Sequence, residues 1–423
     1  MSILDNTYKD SVILNSDNHK TKTWCEEGNH HLFENFTDFN EWIDGEETQE
    51  VRERYGIDGL SQPSKAFYAS DPEAYNQLFK VFRKERIDQV LGEEYIREQF
   101  NDEENHWFER NEQHFNQLIE CLKNNSVVPF VGAGLSVEGG FPTWKKHLQQ
   151  QGKTSGIDAG HVNELLENGK YEELIEEIEE QSKDVFIQEI KDVFSKTGKL
   201  TDTTLRLSEL FTDTLITTNY DHLIEDAFDT GLGNKIQLID SSNILDKSDP
   251  NKTTIIKLHG DIKIPSKCIL GKNQYDEAYG NGNLDIKKPI PKLLSYHYRN
   301  SNLLFLGCSL NKDRTMQVFQ AVKEKLGDVD RPQHFSLESM PESEDKLTKR
   351  NAYLLSFGIT PIWFSNKSYE YIEQILRLAR NELRYKGINP NDKKVFVETP
   401  IQQKKKSFIT VIKLAVLSVF GFS

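Results

Sequence analysis

The sequence predicts an α/β fold: a Rossmann-like, mostly parallel sheet with helices between its strands. From Ser126 to about residue 385, short apolar runs alternate with amphipathic helical segments. The first run, SVVPFV, is continuous and uncharged, which is typical of a parallel strand covered on both faces. Residues before Ser126 show helical periodicity instead, so a mainly helical region is expected ahead of the sheet.

The predicted elements follow in chain order. The strands are expected at Val127–Val131, Thr214–Thr217, Ile236–Ile239, Thr254–Leu258, Leu303–Leu306, His334–Leu337 and Ile359–Trp363. The main helices of this region are expected at His161–Glu180, Asp184–Phe194, Asp221–Phe228, Arg314–Lys325, Glu342–Ser356 and Tyr369–Tyr385. Because 152–210 shows helical periodicity throughout, we expect a helical insert within the sheet domain.

The pattern gives three predicted regions. Residues 1–120 are mainly helical, with Asp71 as an N-cap before Pro72 and a further helical stretch over 93–123. These helices either regulate or oligomerise the protein, or merely cover a sheet edge. Residues 121–386 form the α/β domain with its insert. Residues 387–423 are a linker and a basic, apolar tail.

Composition excludes several classes of protein. Fifty-two Lys and Arg against 67 Asp and Glu give a net charge of −15, which argues against a broad nucleic-acid-binding face. The four cysteines form no CxxC pair, so a zinc module built from two such pairs is not expected. No metal site is predicted. The N-terminus lacks the pattern of a signal peptide, and with few cysteines this predicts a cytoplasmic protein.

The C-terminal tail leaves a membrane question open. Three lysines, Lys404 to Lys406, precede the run SFITVIKLAVLSVFGFS, in which Lys413 interrupts the apolar residues. The run is short for a transmembrane helix. Two interpretations remain, a helix packed on the body or on a second subunit and an anchor at the membrane surface.

Four strands end in small or polar residues. The first leads into Gly132-Ala133-Gly134-Leu135-Ser136 and then Gly139-Gly140-Phe141-Pro142. A glycine turn between a strand and a helix suits phosphate, because backbone N–H groups can approach it closely. The spacing is neither G-x-G-x-x-G nor a P-loop, so a simple tight turn is the alternative.

The other three strand ends carry side chains that could bind a ligand or take part in catalysis. Thr217-Thr218-Asn219-Tyr220-Asp221 follows one strand, where Asn and Asp either line a ligand site or cap the next helix. His259 and Gly260 end another, and a histidine is either a general base or a structural residue. Gly307-Cys308-Ser309 ends a third, where Ser309 contacts a ligand or caps a helix.

Together, GAGLSVEGGFP, TTNYD, KLHGD and LGCSL resemble the sirtuin-type (SIR2-like) NAD-binding domain, and within it the bacterial branch of NAD-consuming antiphage effectors. The resemblance spans 127–364. It implies that Gly132, Ala133, Gly134 and Ser136 hold the NAD pyrophosphate. Pro142 and Thr218 fall in the same cofactor-binding motifs.

The resemblance also assigns the remaining residues. It implies that Asn219 and Asp221 line the nicotinamide pocket and that His259 contacts the ribose hydroxyls. Asn219 and His259 are therefore the expected catalytic pair, while Gly307 and Ser309 are expected at the adenosine ribose. The deacetylase branch carries an Arg after its Pro and a four-cysteine zinc module. This chain has neither, which argues against protein deacylation.

We therefore expect an NAD glycohydrolase that releases nicotinamide and ADP-ribose, regulated as an antiphage effector. NAD is the substrate, and no metal is expected. A non-catalytic module that binds NAD or ADP-ribose is the alternative, followed by a deacylase. The expected partners are a second copy of the chain or a regulatory sensor, such as a helicase-type ATPase or a nucleotide-processing subunit. Direct nucleic-acid binding is not expected.

Overall fold

The computed structural model describes residues 33–60, 62–232, 235–244, 248–311, 313–326, 331–365 and 369–388. They divide into two compact units, one formed by 33–96 with 377–388 and the other by 97–376. The expectations for the C-terminal tail fall outside the described residues. Within these residues, no helix is both long and apolar enough to cross a bilayer.

The first unit is helical. Its helices are α1 (Thr37–Asp44), α2 (Gln49–Arg54), α3 (Pro63–Ser70), α4 (Pro72–Val90), the start of α5 (Glu93–Gln99) and the end of α17 (Glu370–Arg384). Asp71 caps α4, since its carboxylate accepts the Ala74 N–H at 3.0 Å, as the Asp-Pro signal predicts. Aromatic rings fill the centre, among them Phe39 and Tyr75, with ring centroids 4.9 Å apart.

An ion pair and a polar contact join the C-terminal helix to the N-terminal ones inside this unit. Arg83 on α4 makes two parallel hydrogen bonds of 2.7 Å to Glu382 on α17. Asn381 donates to Asp38 at 2.9 Å. The two-bond geometry is the strong form of an Arg–carboxylate pair. Residues that lie far apart in the chain therefore build one helical body.

The second unit is a parallel sheet covered by helices. Its strands are β1 (Val127–Val131), β2 (Thr214–Thr217), β3 (Ile236–Asp240), β4 (Thr253–Lys257), β5 (Asn302–Leu306), β6 (His334–Ser339) and β7 (Ile359–Phe364). They lie in the order β3-β4-β2-β1-β5-β6-β7, and every neighbouring pair is parallel. All seven predicted strands are therefore confirmed, each to within two residues at either end.

The helices of the second unit precede β1 or lie between the strands in the chain, and several of them pack on the sheet. They are α6 (Asp102–Asn105), α7 (Trp107–Lys123), α8 (Trp144–Thr154), α9 (Ala159–Glu167), α10 (Tyr171–Phe194), α11 (Asp202–Leu210), α12 (Leu223–Leu232), α13 (Lys272–Tyr279), α14 (Pro289–Asn300), α15 (Arg314–Leu326) and α16 (Glu344–Ser356). The stretch predicted as a helical insert consists of the end of α8 followed by α9, α10 and α11, so its helical character is confirmed.

One helical prediction was too long. The pattern over 93–123 suggests one helix, yet the structure has three, α5, α6 and α7. The last break falls at His106, whose φ of 50° lies in the left-handed region.

The edge strand β7 is protected by α7. Asn111 makes two hydrogen bonds to the backbone of Trp363, accepting its N–H at 2.7 Å and donating to its carbonyl at 2.9 Å. His114 bonds the carbonyl of Pro361 at 2.8 Å. Side chains thus satisfy backbone groups that an open edge would offer to another strand.

Candidate functional site

Four strand ends meet at one edge of the sheet. The strands β4, β2, β1 and β5 are consecutive neighbours in space and run in the same direction. Their carboxyl ends therefore lie side by side. These ends carry His259, Asn219, Gly132 and Gly307, although the four residues are spread over more than half of the second unit's sequence. In open parallel sheets, ligands bind at this edge.

Three glycines, Gly132, Gly134 and Gly307, form what we call the glycine interlock between the ends of β1 and β5. Gly134 donates its N–H to the Gly307 carbonyl at 2.9 Å. A methyl group on Gly132 or Gly134 would lie only 2.7 or 2.8 Å from that carbonyl oxygen. Gly307 has a φ of +64°, and a methyl group there would meet the Leu135 nitrogen at 2.5 Å. Only glycine allows the two turns to touch.

The glycine turn continues as a short 3-10 helix, Ala133–Ser136. Gly134 is exposed, Ala133 is partly exposed and Ser136 is buried. The Ser136 hydroxyl therefore faces the interior of the turn, while backbone at Gly134 is open to solvent. Pro142 follows the buried Phe141 and is partly exposed. A turn with accessible backbone and no bulky side chain can approach an anion closely.

Asn219 is held in one orientation. Its side-chain amide nitrogen Nδ2 donates to the Gly132 carbonyl at 3.1 Å and to Ser136 Oγ at 3.0 Å. Its backbone N–H donates to Thr217 Oγ1 at 3.0 Å. The side chain is 4% exposed, and its oxygen Oδ1 has no hydrogen-bond partner among the described residues. A buried acceptor without a partner is rare and points to a ligand or water.

Asp221 and Thr218 stand beside Asn219. Asp221 is 3% exposed, and its carboxylate accepts the Leu223 N–H at 3.1 Å, which forms an Asx turn just before α12. Burial raises its pKa, against the opposing effects of that hydrogen bond and of Lys257. Thr218 donates its backbone N–H to Val131 at 3.2 Å and leaves its side chain partly exposed.

His259 is buried against two tyrosines of α13. Its Nε2 lies 3.0 Å from the Tyr279 hydroxyl and its Nδ1 lies 3.4 Å from the Tyr275 hydroxyl. The imidazole is 8% exposed, and burial lowers its pKa to about 4. At neutral pH the ring is therefore uncharged, with one nitrogen available as an acceptor.

Ser309 lies apart from these buried groups. Its side chain is exposed, and its carbonyl accepts a hydrogen bond from Arg350 at 2.9 Å. The structure thus brings Asn219 into contact with Gly132 and Ser136, and Gly134 into contact with Gly307. It places Ser309 at the rim of the same edge.

A buried charged network that the sequence motifs did not predict lies beneath this edge. Lys257, at the end of β4, is 1% exposed and lies 2.5 Å from Glu225 Oε1 and 3.7 Å from Asp261 Oδ2. His222 Nε2 lies 2.7 Å from Asp261 Oδ1. A lone lysine at the end of an otherwise uncharged strand, TTIIK, is the signal that could have revealed it.

Three members of this network have the donor types of a metal site. Ligand atoms of His222, Glu225 and Asp261 all lie within 4.8 Å of one another. The Lys257 ammonium already supplies positive charge to both carboxylates. Burial alone would raise the pKa of Asp261, yet its bonds to His222 and Lys257 hold that pKa well below the usual range.

The parallel sheet, with polar residues and glycines at its carboxyl edge, is an α/β fold of the Rossmann type, in which ligands bind at that edge. Residues 213–362 match the family model for the SIR2-like domain. The resemblance found in the sequence is therefore confirmed. The glycine turn after β1 precedes the matched region.

Curated relatives share a single name. The chain is 28% identical over 284 residues to the NAD(+) hydrolase ThsA of Bacillus cereus, covering 64% of this chain and 56% of that protein. It is 27% identical over 317 residues to NAD(+) hydrolase ThsA of Enterococcus faecium, covering 71% and 64%. A third, from Cytobacillus dafuensis, is 29% identical over 170 residues, covering 40% and 33%. The chain thus spans less than two thirds of the length of these relatives.

Proposed function

We propose that this protein is an NAD glycohydrolase that cleaves NAD to nicotinamide and ADP-ribose. The relatives' name and the SIR2-like domain support the substrate. The observation that carries the proposal is Asn219, a buried side chain whose amide nitrogen is fixed and whose oxygen is left without a partner among the described residues.

The geometry suits cleavage of a glycosidic bond with a cationic leaving group. The C–N bond breaks and its electron pair goes to the pyridinium, which leaves as neutral nicotinamide. Water then adds to the ribose carbon and loses a proton. Because the transition state carries positive charge on the ribose, an acceptor such as Asn219 Oδ1 suits the ribose hydroxyl or the attacking water. No acid is needed for departure of the leaving group.

His259 supplies a neutral acceptor in this scheme. Its lowered pKa keeps the imidazole uncharged at neutral pH, so it can accept a ribose hydroxyl proton as water attacks. The glycine interlock would hold the pyrophosphate, with Ala133 and Ser136 in the same turn and Pro142 beyond it. Thr218 and Asp221 would line the nicotinamide side, and Ser309 with Gly307 the adenosine side.

A binding module that does not turn over NAD is the second candidate. The observation that favours it is the contact of both His259 nitrogens with tyrosine hydroxyls. In that arrangement the imidazole is engaged within the protein. For catalysis, a substrate hydroxyl must replace at least one of the two tyrosines.

The test is an assay of purified protein with NAD, following nicotinamide and ADP-ribose by chromatography. Asn219→Ala and His259→Ala are expected to lose roughly a hundredfold or more in turnover. Matched controls are Asn168→Ala and His161→Ala, which change the same residue types at exposed positions and should keep wild-type turnover.

Each outcome separates the candidates. Turnover by the wild type and loss in both site variants supports the hydrolase. Binding of NAD without release of nicotinamide, unchanged when candidate partners are added, supports the binding module. Wild-type turnover in both site variants overturns the assignment of Asn219 and His259.

We further infer that the activity serves as a regulated effector of bacterial antiphage defence. An unregulated NAD hydrolase would deplete its own cell, so a trigger must act through another part of the chain, a second copy or a sensor protein such as a helicase-type ATPase or a nucleotide-processing subunit. Expression of wild-type and Asn219→Ala protein in a bacterial host, with and without phage, tests this role. NAD loss confined to infected wild-type cells supports it, and NAD levels that infection does not change refute it.

A further inference from the structure

Lys257 has contacts that an ordinary strand residue does not need. Besides its pair with Glu225, its ammonium donates to the backbone carbonyl of Asp221 at 2.6 Å and to that of Tyr220 at 3.2 Å. The ammonium thus meets three acceptors, two carbonyls on the loop between β2 and α12 and one carboxylate on α12. The side chain is 1% exposed, so water does not compete for these bonds.

The two carbonyls belong to the loop that carries Asn219. This loop leaves β2 at Thr217 and enters α12 at Leu223. Lys257 is the register partner of Thr217 in the sheet, so its side chain starts beside the point where the loop begins. A carbonyl turned inward without a donor is costly. Lys257 supplies a donor to the Asp221 carbonyl, and a second donor to the Tyr220 carbonyl, which also accepts the Ile262 N–H at 3.3 Å.

The same network reaches the loop that carries His259. Lys257 lies two residues before His259, and Asp261 lies two residues after it. Asp261 accepts from His222 of the Asn219 loop at 2.7 Å and from the Lys263 N–H at 2.7 Å. Charged contacts therefore join the two loops on both sides of His259.

Stability alone does not account for a buried lysine here. Well-packed apolar residues often replace a buried ion pair with no loss of stability, because desolvation offsets the attraction. What apolar residues cannot do is donate hydrogen bonds to the Tyr220 and Asp221 carbonyls. These two hydrogen bonds therefore determine the conformation of the loop more than they contribute to the stability of the core.

We propose that Lys257 is a positioning residue for the reaction, one that fixes the Asn219 loop relative to His259 by donating to the Tyr220 and Asp221 carbonyls. This inference rests on the proposed function. Lys257 itself does not touch the substrate in this scheme. Its effect is to hold the Asn219 acceptor and the His259 acceptor at a constant separation.

The experiment compares three variants. Lys257→Met removes the ammonium and leaves Glu225 unpaired. The double variant Lys257→Met/Glu225→Leu removes the whole Lys257–Glu225 pair, leaves no unpaired Glu225 carboxylate and is therefore expected to fold and to be more stable than Lys257→Met. Lys252→Met changes an exposed lysine that lies just before the same strand and serves as the matched control.

The measurements are kcat, KM for NAD, ADP-ribose affinity and thermal unfolding. In the double variant, kcat is expected to fall about a hundredfold, the loss that a misplacement of about 1 Å produces. ADP-ribose affinity is expected to stay within about threefold of wild type, because the glycine interlock is untouched. A double variant that is stable and retains wild-type kcat overturns the proposal, and so does an equal loss in Lys252→Met.

Hydrogen exchange gives a readout that needs no turnover. In the double variant, amide exchange over 218–222 should rise about tenfold or more, while exchange in β1 stays unchanged. A wild-type protein that does not hydrolyse NAD would refute the proposed function alone. Unchanged exchange over 218–222 would refute the positioning role of Lys257, whatever the activity.

Discussion

The pH dependence of NAD cleavage gives a direct test of the His259 environment. Burial lowers the pKa of His259 to about 4, whereas an exposed histidine titrates near 6.5. The ratio kcat/KM reports the ionisation of the free enzyme. If neutral His259 is required, activity falls with acidification only as the pH approaches 4.

The size of the effect follows from these two pKa values. At pH 5.5, a group with a pKa of about 4 is almost fully neutral, whereas one with a pKa of about 6.5 is only about one tenth neutral. We therefore expect kcat/KM at pH 5.5 to stay close to its value at pH 7.5. An exposed histidine would give about a tenfold loss over the same interval.

The assay measures initial rates from pH 4 to 8 at constant ionic strength. Enzyme incubated at each pH is returned to pH 7.5 and assayed again, which separates titration from unfolding. An acid limb centred near pH 6.5 and fully reversible would refute the reasoning. Such a limb would mean that His259 is solvated in the active enzyme or is not the acceptor.

Further predictions concern Gly307 of the glycine interlock, the buried His147 and the ion pair between Arg314 and the helical insert. Gly307→Ala should destabilise the protein by about 2 kcal/mol or more in urea unfolding, because the φ of Gly307 is +64° and a methyl group would meet the Leu135 nitrogen. The same change should weaken ADP-ribose binding, and wild-type affinity for ADP-ribose would contradict this prediction. Burial alone lowers the pKa of His147 to about 4, so the free energy of unfolding should be highest above pH 6.5 and should fall as the pH drops towards 4. In His147→Phe, the decrease in this free energy between pH 7 and pH 5 should be about 2 kcal/mol smaller than in the wild type. An equal decrease in the two proteins would refute this prediction. Arg314 donates two hydrogen bonds, of 2.7 and 3.0 Å, to Glu172 of the helical insert. Arg314→Gln should therefore lower the free energy of unfolding by about 1–2 kcal/mol and speed proteolysis within 152–210. Equal rates of cleavage in the variant and the wild type would count against this prediction.

The sheet could be predicted because each strand is a short apolar run that ends in a glycine or a polar residue. Parallel strands covered on both faces leave this pattern in the sequence itself. Helix boundaries were harder. The pattern over His161–Glu180 crosses Gly169, whose φ of +72° ends one helix, and the next helix runs from Tyr171 through the kink at Ser182 to Phe194.

The candidate site was only partly predictable. Asn219 and His259 stand in motifs that the sequence displays next to strand ends. The contacts of Tyr275 and Tyr279 with His259 depend on how α13 folds back over the sheet, which no local pattern encodes. Lys257 was correctly predicted in a strand, but its hydrogen bonds could not be predicted, because its partners Asp221 and Glu225 lie more than 30 residues earlier in the chain.

The interlock also dictates when the site can first exist during synthesis. Gly132 is made early, but its partner Gly307 follows 175 residues later, since 307 minus 132 is 175. β1 likewise has to wait for β5, its sheet neighbour. A nascent chain on the ribosome therefore lacks the glycine interlock until the second unit is nearly finished. A fragment that ends before β5 keeps the turn after β1 but has no Gly307 carbonyl to accept the Gly134 N–H.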